Sequence, residues 1–427
     1  MRKISISIVL VCCSILLYAQ PLKKIISKKQ VKRIEKKLSA DDMQGRKTFT
    51  PGIEKASAFI EAEFKKAGLH FFLNEQSYQQ QFYLYNSTVL ASNVVIDGRL
   101  VPDSMIASFS YQPSVALTEK NDIEVVKISK GEKFGPKFYQ YYQSKKNLLV
   151  LVDSSFNSRL GRLKGMDKLS AEAGNNSVVF VFGVTEANSF SISINNQIDK
   201  KNLNNVVGIL PGKSKPGEYV IFSAHYDHLG IEQSPDGTDS IYNGANDDAA
   251  GTTAVIMLAK YFAKLNNNER TLIFTTFTAE EIGGYGSQYF SKQLAPEKVM
   301  AMFNIEMIGT PSKWGNNAAY ITGFEKTDMG SIMQKNIKDS SFRFYPDPYP
   351  EQQLFYRSDN ATLAQLGVPA HTISTSKMDS EPNYHKLSDE IKTLDMKNMA
   401  AVIRAIATSA TTIISGADTP TRVDNSH

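Results

Sequence analysis

Histidines and carboxylates recur at short intervals through the second half of this 427-residue chain. Each group falls just after, or at the end of, an apolar run that is typical of a buried strand. The groups are His225-Tyr226-Asp227, Asn246-Asp247-Asp248, Glu280-Glu281, Glu306 and Tyr384-His385. Imidazole and carboxylate together suit zinc and similar divalent ions. The pattern predicts a metal site, whose chemistry would be the activation of water for attack on an amide bond.

The first two groups have structural as well as chemical interpretations. His225 and Asp227 are two residues apart at a predicted strand end, so their side chains lean the same way. The Asp227 carboxylate could orient the imidazole, or it could simply hold nearby backbone. Asn246, Asp247 and Asp248 precede a predicted helix, where any of them could be the N-cap. The chemical interpretation gives one of the three to the metals as a bridging carboxylate.

The three glutamates that follow in the sequence are stronger evidence for a metal site. Glu280 and Glu281 follow an apolar strand, and two adjacent carboxylates at that point favour a nearby positive charge. Because neighbouring side chains diverge, one glutamate could bind metal while the other acts as a general base. Glu306 interrupts an apolar run, where an unpaired carboxylate is costly, so a metal ligand or a buried ion pair is favoured. The Tyr384-His385 pair is a weak signal by itself.

Two other histidines have structural interpretations, and three well-known catalytic or binding motifs are missing from the sequence. His228 is expected at the mouth of the cleft, and His371 is expected to be a hydrogen-bonded core residue. The sequence contains no His-Glu-x-x-His pair, no Gly-x-Ser-x-Gly elbow and no Gly-x-x-x-x-Gly-Lys loop. These absences exclude the helix-borne zinc protease motif, the serine hydrolase elbow and the phosphate-binding loop.

Strands and helices must alternate to position these groups. From residue 204 onward the hydrophobic pattern alternates in this way, which predicts an α/β fold with a mixed, mostly parallel central sheet flanked by helices. The predicted strands are 206–210, 219–224, 271–278, 299–308, 319–323 and 368–374. The predicted helices are 249–265, 286–294 and 395–414. Open sheets of this kind place ligands at the carboxyl ends of their strands.

The whole chain divides into five predicted segments. They are a signal peptide at 1–19, an N-terminal helical segment at 20–89 that packs on the catalytic domain, a β-rich inserted domain at 90–203, the catalytic domain at 204–416 and a disordered tail at 417–427. An Asp97-Gly98 pair predicts a hairpin in the inserted domain. The basic start and short apolar run of 1–19 predict secretion or a periplasmic location.

Composition excludes some functions. The chain is 42% hydrophobic and 21% charged, as expected of a globular protein, and its net charge of +5 argues against a dedicated nucleic-acid binder. Cys12 and Cys13 are its two cysteines and lie in the predicted signal, so the mature chain is expected to have no disulfide and no thiolate chemistry. No stable membrane anchor is expected, and the oligomeric state is left open.

Taken together, the motifs resemble peptidase family M28, which comprises secreted and periplasmic zinc aminopeptidases. The matching stretches are LSADDMQGR at 38–46, SAHYDHLG at 223–230, NGANDDAAG at 243–251, TAEEIGGYGS at 278–287, NIEMIG at 304–309, YRSDNATLAQLGVPA at 356–370 and NYHKLSDE at 383–390. The resemblance covers both ends of the mature chain. Across 90–203 it is weak, and there the inserted domain resembles a protease-associated domain in position more than in sequence.

The resemblance implies a fold of the zinc-exopeptidase type with two zinc ions. It assigns the first metal to His225, with Asp227 as the partner of that histidine, and it assigns the bridging position to Asp247. The second metal falls to Glu281 and His385.

The same resemblance makes Glu280 the general base and Tyr384 a donor to the oxyanion. Glu306 stands where the family usually has aspartate at the first metal, so that metal is expected to be weaker or exchangeable. Asn360 follows Ser358-Asp359, where a histidine is common.

The implied function is a zinc-dependent exopeptidase that removes N-terminal residues from peptides with a free N-terminus. A hydroxide held by the metals would attack the carbonyl, with Glu280 as base. Three alternatives stay open. They are a glutaminyl cyclase with a single zinc, a non-catalytic binding protein on the same scaffold, and a carboxypeptidase or amidohydrolase acting on other amides.

Overall fold

A computed structural model describes residues 22–166, 168–232 and 239–424. The described chain forms two compact units, one drawn from the described residues of 22–82 and 203–424 and the other from those of 83–202. The predicted signal peptide lies outside the described residues. Within the described part of the chain, no helix is both long enough and apolar enough to cross a bilayer.

The described residues supply the following elements. The α-helices are Lys28–Leu38 (α1), Pro51–Ala67 (α2), Phe134–Tyr142 (α3), Leu160–Lys164 (α4), Ala250–Leu265 (α5), Tyr285–Ser291 (α6), Met329–Asn336 (α7), Ala361–Ala364 (α8), Met396–Ser409 (α9) and Thr411–Ser415 (α10). The strands are His70–Phe71 (β1), Gln79–Ile96 (β2), Arg99–Val101 (β3), Ile106–Ser110 (β4), Ser114–Thr118 (β5), Glu124–Ile128 (β6), Leu148–Val152 (β7), Leu169–Ser170 (β8), Ser177–Phe182 (β9), Phe190–Leu210 (β10), Lys215–His225 (β11), Gly230–Ile231 (β12), Ile241–Tyr242 (β13), Arg270–Phe277 (β14), Val299–Ile305 (β15), Ala318–Ile321 (β16), Arg343–Pro346 (β17) and Ala370–Ser374 (β18).

The first unit is built on a mixed sheet with the strand order β17-β16-β18-β15-β11-β14-β10. Its four central strands, β14, β11, β15 and β18, are mutually parallel, so their carboxyl ends meet at one edge. Alternate residues of β11 enter different apolar clusters: Phe222 packs with residues of α1, α2, α5 and α9, whereas Ile221 packs with residues of α6 and α8. Helices therefore cover both faces of the sheet, and the predicted fold class is confirmed.

The second unit contains a four-stranded sheet in the order β4-β9-β7-β6. Helices α3 and α4 pack on it through Phe138, Leu160 and Leu163. Strands β2 and β3 form the hairpin predicted at Asp97-Gly98, with Ile96 opposite Arg99.

Several predicted boundaries were wrong. The N-terminal segment is helical only as far as Ala67, and residues between 70 and 89 lie mainly in β1 and β2. Strand β15 ends at Ile305 because the backbone turns at Met307, which has a φ of 53°.

The tail was also expected to be disordered, but its described part, 417–424, packs on the first unit. Val423 is 5% exposed and donates its N–H to the Gly367 carbonyl, while Arg422 donates to the Val299 carbonyl. The polar composition of the tail predicted disorder because contacts to distant backbone groups cannot be read from composition. Residues 425–427 lie outside the described residues.

Candidate metal site

The parallel strands and one irregular segment bring the predicted site residues together. His225 is the last residue of β11, Glu280 and Glu281 lie in the turn after β14, and Glu306 directly follows β15. Asp247 lies in the segment before α5, and Tyr384-His385 lies in the loop after β18. A cavity of about 60 Å³ is lined by Asp247, Glu280, Glu306, Tyr384 and His385 among others.

Asp247 lies at the centre of this arrangement. Its Oδ1 is 3.2 Å from Nε2 of His225, and its Oδ2 is 3.2 Å from Nε2 of His385. His385 Nε2 also lies 3.1 Å from Oε2 of Glu281. One carboxylate therefore presents its two oxygens to two different histidines. Ligand atoms of His225, Asp247 and Glu281 all lie within 4.8 Å of one another, which is compact enough for a metal ion.

The polar atoms of the site fit a metal. Nε2 of His225 and Oε2 of Glu306 are shielded from solvent and have no hydrogen-bond partner among the described residues. The approach of His225 Nε2 to Asp247 is thus close but poorly aligned for a hydrogen bond. Buried polar atoms without partners are unusual and costly. Nitrogen and oxygen donors in this combination suit zinc, so the residues present match such an ion.

Electrostatics indicate the same requirement for positive charge. Burial raises the pKa of Glu280 well above its usual value, and burial raises the pKa of Glu306 to about 7. Asp247 behaves differently: although burial opposes it, contacts with His225 and His385 hold its pKa below the usual range. Contacts with Asp247 and Glu281 raise the pKa of His385 to about 10. In the absence of metal, protons and imidazolium charges must neutralise these carboxylates.

Asp227 is completely buried, and its main contacts are those of the second interpretation given above, in which it holds nearby backbone. Its carboxylate accepts the backbone N–H groups of Glu280 at 3.1 Å and Glu281 at 3.3 Å. The His225 Nδ1 is 3.8 Å from this carboxylate but 3.2 Å from the Asp227 backbone oxygen. Asp227 therefore fixes the turn that carries the glutamate pair, and its backbone oxygen is the nearer partner of the histidine.

Of the three polar residues before α5, Asn246 and Asp248 bind backbone groups, and Asp247 faces the candidate metal site. The Asp248 carboxylate accepts N–H groups from Gly251 in the first turn of α5 and from Met307 after β15. The Asn246 side-chain oxygen accepts the N–H of Gly309. Asp247 is thereby left to face the histidines.

Asp389 is a residue of the site that the sequence did not single out. Its carboxylate accepts the backbone N–H groups of Asn246, at 2.9 and 3.1 Å, and of Asp247, at 3.0 Å. Its position four residues after His385, within the matching stretch 383–390, was the only signal available.

His228 was predicted at the cleft mouth, and this prediction was wrong. The residue is 1% exposed, and its Nδ1 lies 2.7 Å from Oε1 of Glu281. It follows His225 by three residues, and the turn after β11 directs it inward. His371 is a core residue as predicted, with its ring nitrogens 2.8 Å from Thr327 Oγ1 and from the Thr322 carbonyl.

Tyr384 borders the cavity beside its neighbour in sequence. Its ring stacks on that of His385 with centroids 4.0 Å apart. Burial, followed by the nearby carboxylates, raises the pKa of Tyr384 well above its usual value. The phenol therefore keeps its proton at neutral pH and is available as a hydrogen-bond donor.

A mixed sheet with a histidine–carboxylate cluster at the carboxyl ends of its parallel strands defines an α/β domain of the zinc-exopeptidase type. A family model described as peptidase family M28 matches residues 205–410. Residues 205–410 therefore form a domain of peptidase family M28.

Two similar curated proteins carry the name aminopeptidase, and each is matched over part of its length. A probable leucine aminopeptidase of Trichophyton verrucosum is 27% identical over 204 residues, which cover 46% of this chain and 53% of the relative. Aminopeptidase Y of Saccharomyces cerevisiae is 27% identical over 217 residues, which cover 46% of this chain and 36% of the relative. The chain thus spans about half, or less, of the length of these relatives.

Solved structures show the same fold over nearly the whole chain. An aminopeptidase from Aneurinibacillus sp. superposes with a TM-score of 0.55 at 17% identity, covering 92% of this chain and 95% of that chain. A zinc aminopeptidase from Bacillus subtilis gives 0.54 at 14% identity, covering 94% and 98%. At these identities the likeness is one of fold.

Proposed function

We propose that this protein is a zinc-dependent aminopeptidase that holds two zinc ions and removes N-terminal residues from peptides. The observation that carries the proposal is the position of Asp247, whose two carboxylate oxygens each lie 3.2 Å from a different histidine. His225, Glu306 and Asp247 Oδ1 would hold one ion. Glu281, His385 and Asp247 Oδ2 would hold the other. The ions supply Lewis acidity and lower the pKa of water.

Glu280 is the residue proposed to move protons. It borders the cavity but is not needed to complete either ligand set. Burial raises the pKa of Glu280 in the metal-free site. Bound cations would favour its carboxylate form, which is the form that can accept a proton. Such a group takes a proton from the attacking water and passes it to the leaving amine. Asp227 orients this glutamate through the backbone N–H group of Glu280.

Tyr384 and a neighbouring cavity would handle the substrate. The protonated phenol of Tyr384 would donate a hydrogen bond to the oxygen of the carbonyl under attack. A larger cavity of about 530 Å³, lined by Glu280, Arg357 and Asp359 among others, adjoins the site. It has room for the residues of a peptide that follow the scissile bond.

The test is a peptide panel incubated with the purified protein and zinc, read by mass spectrometry. The panel contains matched peptides with free, N-acetylated and glutamine N-termini. Stepwise loss of residues from the free peptides alone is expected. The Glu280→Gln variant should lose turnover while zinc content measured by elemental analysis stays at the wild-type value.

Other outcomes separate the rival functions. Loss of ammonia from the glutamine peptides alone indicates a glutaminyl cyclase. Release of residues from the C-terminus, or cleavage of the acetyl amide, indicates another amide hydrolase. Zinc binding without any reaction favours a binding protein. Full activity of Glu280→Gln would show that the general-base assignment is wrong.

A further inference from the structure

The short turn between α1 and α2 contains a fully buried arginine. Arg46 is 0% exposed, and its guanidinium makes four hydrogen bonds, all to backbone carbonyl oxygens. These bonds run to Leu38 at 2.9 Å, Tyr226 at 2.8 Å, Asn243 at 2.6 Å and Gly244 at 2.8 Å. Arginine stays charged in proteins, so this is a permanent cation placed among peptide dipoles.

The carbonyl groups bound by Arg46 belong to the segments that carry proposed metal ligands. Tyr226 directly follows His225, and Gly244 precedes Asp247 by three residues. The Arg46 carbonyl oxygen also accepts the N–H of His228. One side chain therefore ties both ligand-bearing segments to the N-terminal turn.

Asp389 holds the second of these segments from its other end. The carbonyl groups of Asn243 and Gly244 point to the Arg46 cation, whereas the N–H groups of Asn246 and Asp247 point to the Asp389 carboxylate. The peptide groups of 243–247 thus lie between a buried positive and a buried negative charge. Their dipoles are stabilised in this orientation, and the backbone of Asp247 is fixed without any contact to its carboxylate.

The turn itself is shaped for this contact. Gly45 has a φ of 61°, and a Cβ at this position would lie 2.4 Å from the Gly230 carbonyl oxygen. Asn243 donates its side-chain amide to the Ser39 carbonyl and to the Asp41 carboxylate. Residues 39–45 therefore pack closely against Gly230 and against Asn243, which lies in the segment that leads to Asp247.

We propose that Arg46 is a positioning residue for the metal site: it holds the backbone of His225 and Asp247 in the geometry that metal binding requires. The proposal rests on the metal-dependent function proposed above. It differs from a role in stability alone, because the loss of Arg46 should then weaken metal binding beyond any loss of folding. Supporting residues of metal ligands typically change metal affinity 10–100-fold.

The experiment compares Arg46→Lys with Arg270→Lys in the full-length metal-free protein. Arg270 is also buried, at 2% exposure, and donates to Glu218 and to the carbonyl groups of Ile413 and Asp418, none of which carries a ligand. Lysine keeps the charge but cannot reach several carbonyl groups at once. Cobalt binding is followed by visible absorption, zinc affinity by chelator competition, and stability by thermal unfolding.

The expected result is a loss of about 10- to 100-fold in cobalt and zinc affinity, with an altered cobalt spectrum, for Arg46→Lys alone. Arg270→Lys should unfold at a lower temperature yet bind cobalt as the wild type does. Wild-type affinity and spectrum in Arg46→Lys would overturn the positioning role.

A second variant keeps the proposal testable if Arg46→Lys does not fold. Asp389→Asn removes the negative charge at the other end of 243–247, and a similar loss of metal affinity is expected. Unchanged affinity in this variant would contradict the proposal. A wild-type protein that binds neither cobalt nor zinc would overturn the proposed function together with this inference.

Discussion

The two oxygens of Asp247 face regions that differ sharply in their access to solvent. On the Oδ1 side the His225 side chain is 2% exposed. Glu306, which is proposed to hold the same ion, has an oxygen that is shielded from solvent. On the Oδ2 side the His385 side chain is 36% exposed, although its partner Glu281 is only 7% exposed. One carboxylate therefore serves a closed position and an open one.

This difference shows how the proposed site would combine a retained ion with an accessible one. A ligand that is removed from the closed side leaves buried partners that water cannot easily replace. A ligand removed from the open side can be replaced by water. We therefore expect the closed position to depend more strongly on each of its side chains, and the open position to exchange its ion faster. This order reverses the one expected from the sequence, where Glu306 made the metal at His225 the exchangeable one.

The largest effect is expected for Asp247→Asn, because both positions share this carboxylate. The variant should lose most of the bound zinc and at least about 100-fold in activity, since charge neutralisation is removed from both sides at once. Elemental analysis after dialysis measures the zinc. Asp339→Asn, at an exposed position, is the control. Retention of one full equivalent of zinc by Asp247→Asn would argue against a shared ligand.

A smaller and selective effect separates the two histidines. His225→Ala should lose zinc from the closed position even in excess zinc, whereas His385→Ala should lose it on dialysis and regain it when zinc is added. The reason is that water can enter beside residue 385, which is 36% exposed, but not beside residue 225. Titration of each metal-free variant with zinc provides the measurement. Identical titrations would remove the distinction between the closed and open positions.

The sequence indicated the candidate ligands because their chemistry is local. His225, Glu280 and Glu306 stand out as polar residues at the ends of apolar strands, and the parallel sheet brings strand ends to one edge. The predicted strands were mostly correct for the same reason, since each is a short apolar run. Alternation of strands and helices was sufficient to predict the fold class.

The supports of the site could not be predicted, because they are tertiary contacts to backbone atoms. Arg46 donates to carbonyl groups about 180 and 200 positions away, and any residue type can offer a carbonyl group. His228 has no local feature that distinguishes a cleft position from a buried one. The tail at 417–424 is held by Arg270, which donates to the Asp418 carbonyl and the Thr419 hydroxyl, and by Arg422, which donates to the Val299 carbonyl.

A moderate effect is expected at the residue that departs from the family pattern. Glu306→Asp should weaken zinc at the closed position by about 10-fold, because the shorter side chain withdraws its carboxylate from the site. The backbone cannot follow, since the N–H of Glu306 is bound to Ile373 and that of Met307 to Asp248. Zinc titration tests this, with Glu351→Asp as the exposed control. Tighter zinc binding in Glu306→Asp would show that the backbone adapts to aspartate.

The smallest effect concerns the contact between α1 and α5, and it appears in stability. Glu35 in α1 is 0% exposed, accepts a bond from Thr253 in α5, and has one oxygen without a partner. Burial raises the pKa of Glu35 to about 8 from an ordinary 4.5. The folded state therefore holds a proton that the unfolded state has already released, and stability falls as pH rises from 4.5 to about 8.

Glu35→Gln should abolish that decline, because the amide resembles the protonated acid. Its unfolding free energy should match the wild type near pH 4.5 and exceed it at pH 8, by at most about 1.4 kcal/mol per pH unit of the interval. Glu63 is the contrasting control: although burial opposes it, contacts with Arg33, Lys260 and Lys66 lower its pKa to about 2. Its ionised form stabilises the fold above pH 4.5, so Glu63→Gln should be less stable than the wild type at pH 8. Urea unfolding at pH 4.5 and pH 8 measures the unfolding free energy of each variant. If that free energy changes with pH equally in the wild type and in Glu35→Gln, Glu35 is ionised in the folded state and is compensated by the nearby Arg46 charge.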